Sequence, residues 1–492
     1  MAMVTDGSGS SGQRTRSLAS GVVGSARVIG FGASNVAPAG AVVAGLVIVA
    51  SYAGFASPLV VLIAFAASLC CASSIAEFAR RLPSAGSLYT YNSRGLGRTG
   101  GFLTGWMMIF AYALYVPGGI ALTSVYASQL LATAHVAIAD WVLFVVILAA
   151  VTLVAYLGIR TSSSTDLVLV IAEIAVISAL AITVLVKTGR AHYSAAVLSP
   201  ASSPHGQFTE ITTAMIYGIS AFAGFETAAA LGEEARNTRR SIPASTIGVV
   251  IVTGLFYLLV VVAEMFGAGR HGVAGLMRQG NPLGYLTSQY WSPSALWTID
   301  LVIVITGLGF TIAGFNAAIR VMFAMGREQV LPGSLAHLSG RQTPVVSIGC
   351  VAAFSLALGL PLTYAYGARA FAYLIGAAAL SIVLIYLAVN IATIRAFRTG
   401  FRAEFSLWRH LLIPAAATVL FLFPLWGILH PSAYTLVNLL PFAALGWLCL
   451  GAVVAGVLRV RRPASFETLG KVFVPREDDQ HPHPEASPQR PG

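Results

Sequence analysis

The sequence predicts an all-α polytopic membrane protein with twelve transmembrane helices. Hydrophobic residues make up 57% of the 492 residues and charged residues only 10%. The mean hydropathy of +0.80 lies far above that of soluble domains. A helix needs about 20 apolar residues to cross the hydrocarbon core of a bilayer. Twelve such runs follow one another, at residues 28–52, 57–78, 101–131, 140–158, 165–186, 208–231, 244–267, 296–325, 345–364, 371–392, 411–429 and 434–458.

The basic residues are distributed as this topology requires. If both termini are cytoplasmic, 24 of the 29 Lys and Arg residues fall on the inner side of the membrane. An excess of positive charge in the cytoplasmic loops is the usual pattern of multi-pass proteins. The net charge of +11 therefore reflects topology and gives no indication of nucleic-acid binding. We expect a multi-pass protein of the plasma (inner) membrane with both termini in the cytoplasm. The five outer residues are Lys187, Arg190, Arg270, Arg278 and Arg369.

Residues 25–460 form a single twelve-helix membrane domain in this interpretation. The Gly/Ser-rich residues 1–24 and the Pro-, His- and acid-rich residues 461–492 are predicted to be disordered cytoplasmic tails. No removable signal peptide is evident. The four cysteines lie inside predicted spans without metal-ligand spacing, so we expect no disulfide framework, no metal site and no cofactor. They are Cys70, Cys71, Cys350 and Cys449.

The first span is interrupted between Gly30 and Gly40. This stretch contains three glycines, Pro38 and the short polar residues Ser34 and Asn35, which together make a poor helix interior. Ser and Asn are good N-cap residues, and proline is tolerated best in the first turn of a helix. We therefore expect the span to unwind here, with a half-helix starting near residue 36.

The sixth span carries a second interruption, five spans later. It contains Gly218, Ser220, Gly224 and Glu226. Broken segments at matching positions of two five-span halves are typical of inverted-repeat transporters that bind substrate where the backbone opens. Free N–H groups at one half-helix end suit a carboxylate, and free carbonyls at another suit an ammonium. A zwitterion fits both. The alternative is that these glycines only allow close helix packing.

The chain resembles the amino acid-polyamine-organocation superfamily of transporters over about residues 25–460. The resemblance is carried by motifs that occur in order along the chain. They are the segment Glu77 to Tyr91, Gly97-Arg98, Gly101 to Trp106, Gly224-Phe225-Glu226, Glu233 to Asn237, Ile242-Pro243, Arg320, Ala324 to Arg327, Val330 to Pro332 and Thr343-Pro344.

The resemblance implies two inverted five-helix repeats, spans 1–5 and 6–10, followed by two peripheral helices. It also implies secondary transport of amino acids or related amines by alternating access. Substrate then lies between the unwound parts of spans one and six. The chain departs from the family where some members carry Gly-Ser/Thr-Gly-Ile-Phe in span one, and where some have an aromatic gate at Ser220. The implied substrate-binding residues are Ser34, Asn35, Val36, Ser220, Ala221, Phe222 and Gly224.

Two carboxylates inside spans are candidate coupling residues. Glu173 lies in the fifth span, at a position where the resemblance implies a lysine in several relatives, and Glu226 lies at the sixth-span break. Because burial disfavours a charged carboxylate, either residue is a candidate proton carrier. The alternative is a protonated side chain that hydrogen-bonds a neighbouring helix. Glu264 and Asp300 fall near span ends, and we expect them to reach headgroups or water in a structural role.

Tyr112, Tyr115 and Asn316 are candidate gating or cavity residues, with core packing as the alternative. The sequence has no phosphate-cradling Gly-Lys-Ser/Thr loop and no metal-ligand cluster. A carrier is therefore favoured over an enzyme or an ATP-driven pump. The substrate is expected to be an amino acid or amine, and the coupling ion a proton, with sodium as the alternative. Exchange, a channel and a transporter-like sensor remain alternatives, and we expect a monomer or homodimer in the bilayer.

Overall fold

The computed structural model is helical throughout the part of the chain that it describes. The described residues are 32, 36–82, 87–158, 163–231, 238–278, 281–430, 437–463, 466 and 469. No β-strand occurs among them, and one isolated bridge joins Leu338 and Pro344. Ser34 and Asn35, the predicted tail 1–24 and nearly all of the predicted tail 461–492 lie outside these residues.

The helices are numbered here in chain order. Helix α1 comprises Pro38–Gly40, a π-helical stretch Ala41–Leu46 and Val47–Ala53. A π-helical stretch, Trp408–Leu412, precedes α14. The other helices are α2 (Ser57–Arg81), α3 (Leu88–Leu96), α4 (Arg98–Thr133), α5 (Asp140–Leu157), α6 (Ser163–Thr188), α7 (Phe208–Ser220), α8 (Thr238–Ala268), α9 (Val273–Arg278), α10 (Pro282–Tyr290), α11 (Leu296–Arg327), α12 (Val345–Tyr366), α13 (Arg369–Thr399), α14 (Ile413–Ile428) and α15 (Leu440–Arg461).

Ten helical segments within the described residues are long and apolar enough to cross a membrane. The longest, Pro38–Arg81, contains α1 and α2, which the sequence predicts as two separate spans. The predicted sixth span is not one continuous helix, because α7 has only 13 residues and a turn separates it from the 3-10 helix Phe225–Leu231. Ten segments and twelve predicted spans differ at these two places. The fold is that of a multi-pass membrane protein.

Helices α4 and α13 form the centre of the bundle. The most apolar stretch of α4 is 89% buried, whereas that of α5 is only 17% buried. Helix α4 packs most extensively against α11 and then against α13, and α2 packs extensively against α8. The outer helices α5, α12, α14 and α15 expose much of their apolar surface. This is the pattern expected when their outer faces contact lipid.

Helix α3 contacts α13 through a glycine. A Cβ atom added at Gly95 would lie 2.5 Å from both the Cβ and the backbone oxygen of Ala392. These atoms cannot yield as a flexible side chain would, so Gly95→Ala must push the two helices apart. We expect this variant to lower the thermal unfolding midpoint of the purified protein, since overpacking costs about 1–3 kcal/mol.

Gly349→Ala in α12 is the matched control for this prediction. No atom lies within 4 Å of a Cβ added at Gly349, and alanine is about 1 kcal/mol better than glycine inside a helix. The control should therefore unfold at or above the wild-type temperature. Equal midpoints for the two variants would contradict close α3–α13 contact.

Candidate functional site

The predicted sixth span breaks after Ser220. Phe222 and Ala223 donate their N–H groups to carbonyls three residues earlier, at 3.0 Å each, so tight turns replace regular helix bonding. Gly224 has a φ of +110°, which favours glycine because L side chains rarely adopt it. The backbone oxygen of Ala221 accepts a hydrogen bond from the Tyr257 hydroxyl of α8 at 2.7 Å. The Tyr257 hydroxyl thus donates a hydrogen bond to a backbone carbonyl of the broken segment.

Glu226 holds the break to two central helices. Its Oε1 accepts a hydrogen bond from the Tyr112 hydroxyl of α4 at 2.8 Å. Its Oε2 accepts from the Tyr386 hydroxyl of α13 at 2.7 Å and from the Gly224 N–H at 2.9 Å. The residue is 1% exposed, and its backbone oxygen accepts from the Ser87 hydroxyl at 3.2 Å. One buried carboxylate therefore joins α4, α13 and the turn.

Aromatic rings surround the broken segment. Phe222 stacks on Phe65 of α2 with centroids 6.0 Å apart, and it meets Tyr257 edge-on at 5.1 Å. Tyr115 packs against Phe310 of α11 at 5.3 Å and against Tyr112 at 6.1 Å. Ser220 is a polar neighbour of the Tyr115 hydroxyl. The surroundings of the break are thus largely apolar, with hydroxyl groups at a few points.

The two predicted broken spans lie side by side. A Cβ added at Gly45 of α1 would contact the Cβ of Ala221 at 3.8 Å, and one added at Gly32 would contact that of Ala228 at 3.3 Å. Residue number rises along one segment while it falls along the other, so the segments run antiparallel. Helix α1 starts after Ala37, which has a φ of 46°, with Pro38 in its first turn.

Glu173 lies near the beginning of α1 and apart from the contacts of Glu226. It is 6% exposed in α6, and Thr306 of α11 is its polar neighbour. The methyl group of Thr306 lies 2.9 Å from the position of a Cβ added at Gly40. Thr306 therefore bridges Glu173 and the first turns of α1. The two predicted coupling carboxylates have different surroundings.

The structure brings together many, but not all, of the predicted site residues. Asn316 is exposed on α11 and makes none of the described contacts of this cluster. Val36 is buried beside the start of α1, and Ser220 is half-buried. Ser34 and Asn35 lie outside the described residues. The predicted residues at or beside the break are Tyr112, Tyr115, Ser220, Ala221, Phe222, Gly224 and Glu226.

The sequence gives no sign of two tyrosines at the break, and it misplaces two carboxylates. Tyr257 and Tyr386 bind the broken segment, but nothing in the sequence distinguishes them from other tyrosines within spans. For Glu264 and Asp300, the expectation that the side chain reaches headgroups or water is wrong, whereas their structural role stays a prediction. Glu264 is 0% exposed, and neither carboxylate oxygen has a hydrogen-bond partner among the described residues. Asp300 is also buried, and it accepts a hydrogen bond from Asn281 at 2.9 Å.

The fold and this buried, broken segment define a multi-pass membrane protein with a polar site in its core. The family model described as "Amino acid permease" matches residues 28–446, and the chain belongs to this family. The predicted membership of the amino acid-polyamine-organocation superfamily is confirmed. The protein is a permease rather than an enzyme, and its family transports amino acids or related amines. No group of three or more potential metal ligands occurs among the described residues.

Curated relatives are similar over most of their length. A branched-chain amino acid permease of Lactococcus lactis is 25% identical, over 76% of this chain and 83% of the relative. One of Bacillus subtilis is 27% identical, over 69% and 72%. A low-affinity putrescine importer of Escherichia coli is 24% identical, over 60% and 64%. Among solved structures, a manganese transporter of Eremococcus coleocola has a TM-score of 0.54 at 14% identity, over 89% of this chain and 95% of that one. This last likeness concerns the fold alone.

Proposed function

We propose that this permease is a secondary active transporter that moves a neutral, apolar amino acid by alternating access and proton symport. Its architecture is proposed as two inverted five-helix repeats, spans 1–5 and 6–10, plus two peripheral helices. Helices α1 and α2 then count as separate spans, and the broken segment from α7 to Leu231 counts as the sixth. The observation that carries the proposal is the antiparallel contact between the first and sixth spans, Gly32 against Ala228 and Gly45 against Ala221.

Both ends of a zwitterion find suitable groups in the proposed site. The first N–H groups of a helix have no intrahelical acceptor, so the start of α1 suits a substrate carboxylate, as helix N-termini suit anions. Ser34, Asn35 and Val36 precede that start. Carbonyls of the turn after Ser220 are proposed to accept from the substrate ammonium, and Phe222 is proposed to cover the substrate. Tyr112 and Tyr115 are proposed to line the cavity, and Asn316 to lie on the access route.

The substrate side chain is proposed to be uncharged and aliphatic. Glu226 already accepts three hydrogen bonds, so it does not offer a free carboxylate to a second ammonium. An unpaired buried charge costs about 3–5 kcal/mol, which corresponds to a factor of about 100 or more in binding. The aromatic rings near the break favour an apolar side chain instead. Two of the relatives named above are branched-chain amino acid permeases, which supports the same choice.

The charge distribution supports a proposed cellular setting. We propose that the protein lies in the plasma membrane, as a monomer or homodimer, with both termini in the cytoplasm. The predicted excess of basic residues on the inner side supports this orientation.

Glu173 is proposed as the proton carrier, because the Glu226 carboxylate already accepts hydrogen bonds from α4, α13 and the turn.

Uptake into proteoliposomes tests the proposed function. We expect an inward proton gradient to drive accumulation of radiolabelled valine, leucine or isoleucine, with at least about 100-fold weaker competition by putrescine, whose second ammonium lacks a partner. Vesicles without protein and an imposed sodium gradient are the controls.

Each outcome of this assay has a distinct meaning. Accumulation only in vesicles preloaded with substrate would replace symport with exchange. Accumulation driven by sodium alone would replace the coupling ion. Preferred uptake of putrescine or γ-aminobutyric acid would overturn the neutral, apolar substrate while leaving the carrier intact. Flux that does not saturate would contradict a carrier altogether.

A further inference from the structure

A cleft of about 430 Å³ opens between the end of α2 and the start of α8. Three arginines line it, Arg80 from α2 and Arg239 and Arg240 from α8. Small and apolar residues of α8 form the remaining wall, including Ile247, Gly248 and Ile251. The cleft is separate from the broken segment and has no role in the proposed transport cycle. It combines concentrated positive charge with an apolar surface.

The positive charge in this cleft is largely uncompensated by described residues. Arg239 and Arg240 are exposed, and neither forms an ion pair or hydrogen bond with a described residue. Arg80 contacts the Glu77 carboxylate at 3.1 Å, but its own side chain is 42% exposed. That carboxylate is shared with Arg81 at 2.7 Å and with His410 at 3.2 Å. An anion entering the cleft therefore meets at least two guanidinium groups that pair with no described residue.

The apolar wall continues beyond the cleft along α8. Ile251 is 39% exposed, and Leu255, one turn further along the same helical face, is 59% exposed. This stripe lies in a segment with the length and hydropathy of a membrane span, Arg239–Ala268. The three arginines stand at one end of it, where the charge distribution predicts the cytoplasmic interface. A ligand that fits both parts has an anionic group and a long apolar chain.

We propose that this cleft binds an anionic phospholipid of the cytoplasmic leaflet. The phosphate is held by Arg239, Arg240 and Arg80, and one acyl chain lies along Ile247, Ile251 and Leu255. Arginine guanidinium groups bind phosphate oxygens in a planar, bidentate geometry. A soluble phosphate would use the arginines but leave the apolar wall uncovered. The acidic run Glu477-Asp478-Asp479 of the chain itself is another anionic candidate, but it too lacks an apolar chain of that length.

Lipid binding to the full-length protein in detergent, followed by native mass spectrometry, tests this site directly. We expect dioleoyl phosphatidylglycerol to bind more tightly than dioleoyl phosphatidylcholine. The double variant Arg239→Gln, Arg240→Gln should weaken phosphatidylglycerol binding about 30-fold, because each interfacial arginine contributes a factor of about five. Binding of phosphatidylcholine should not change. This readout does not require transport, so the proposal stands or falls independently of the proposed function.

Two further variants test whether phosphatidylglycerol binding requires the cleft or only positive surface charge. The double variant Arg459→Gln, Arg461→Gln removes the same charge from exposed positions at the end of α15 and should leave phosphatidylglycerol binding unchanged. Gly248→Leu places an apolar side chain in the cleft, at a position where no atom lies within 4 Å of an added Cβ. It should weaken phosphatidylglycerol binding while the arginines remain in place.

Four results would overturn the proposal. They are equal binding of the two lipids, equal losses in both arginine double variants, and full competition by inorganic phosphate at the lipid concentration. The fourth is tighter phosphatidylglycerol binding by a variant that ends at residue 470, since it would assign the cleft to the acidic run of the chain. The lipid site would be supported if phosphatidylglycerol binds the wild-type protein in the presence of inorganic phosphate and this binding is lost in Gly248→Leu.

Discussion

Replacing Glu226 with alanine is expected to lower the initial rate of substrate uptake by about 100-fold. The change removes the acceptor of three hydrogen bonds, from Tyr112, Tyr386 and the Gly224 N–H. Hydrogen bonds to a charged group contribute about 1.5–3 kcal/mol each. Loss of only about 3 kcal/mol in the stability of the break would reduce its competent population about 100-fold. Uptake should be normalised to folded, reconstituted protein.

Glu226→Gln should be much less harmful if the role of Glu226 is to hold the break. A glutamine oxygen in the place of Oε2 can accept from Tyr386 and from the Gly224 N–H. Its NH₂ group, in the place of Oε1, can donate to the Tyr112 hydroxyl, which accepts as well as donates. We expect a clearly smaller loss of uptake than with alanine, since glutamine keeps all three hydrogen bonds as neutral bonds, each weaker than the charge-assisted bond that it replaces. If glutamine is as inactive as alanine, the charge of Glu226 itself is required, and the holding role alone is contradicted.

A double-mutant cycle checks that the tyrosine and the glutamate act together. Tyr386→Phe removes one hydrogen-bond donor to Glu226. It should therefore cause no further loss of uptake when Glu226 is already alanine. Additive losses would place Tyr386 in a separate role. Tyr91→Phe in α3 is the matched control, because the buried Tyr91 hydroxyl has no hydrogen-bond partner among the described residues. The control should transport like wild type.

The membrane spans could be predicted from the sequence because they depend on local properties. Nine predicted spans coincide with single helical segments of the structure to within a few residues. The break at Gly224 could also be predicted, since glycine beside a carboxylate in an apolar run is unfavourable for a continuous helix. The boundary between the first two spans is predicted at residues 52–57, and helix α1 ends at Ala53 while α2 begins at Ser57. Gly54 lies between them with a φ of +56°, which takes the backbone out of helical geometry.

The side chains that bind the broken segment could not be predicted from the sequence. Tyr386 lies 160 positions from Glu226, and their hydrogen bond depends on how α13 packs against the broken segment. The burial of Glu264 was equally hidden, because its place near the end of a span is compatible with either lipid headgroups or a protein interior. The contact between Gly45 and Ala221 brings the first and sixth spans together, as the corresponding positions of their predicted interruptions suggest. Local composition predicts which spans are interrupted, whereas the packing of distant helices determines which side chains bind the interrupted segments.

Glu173→Gln is expected to abolish proton-driven accumulation while leaving substrate exchange intact. Glu173 is buried next to Thr306, which contacts the first turns of α1 at the position of Gly40. A proton gained or lost there acts on the helix whose start is proposed to bind substrate. One pH unit across the membrane corresponds to 1.36 kcal/mol, or about tenfold accumulation for one proton per substrate. The glutamine variant cannot exchange a proton at this position, so its accumulation ratio should fall to about one, the value without coupling.

Glu264→Gln is the discriminating companion to this variant. Glu264 is also buried within a span, and it has no hydrogen-bond partner among the described residues. Both variants should be measured by accumulation under an imposed pH gradient and by counterflow in preloaded vesicles. Retained counterflow shows that the substrate site and the conformational cycle survive, so a selective loss of accumulation reports on coupling alone. If Glu264→Gln loses accumulation and Glu173→Gln keeps it, the proton is carried by Glu264, near the C-terminal end of α8. Coupling would then act through the packing of α8 on α2 instead of through the start of α1.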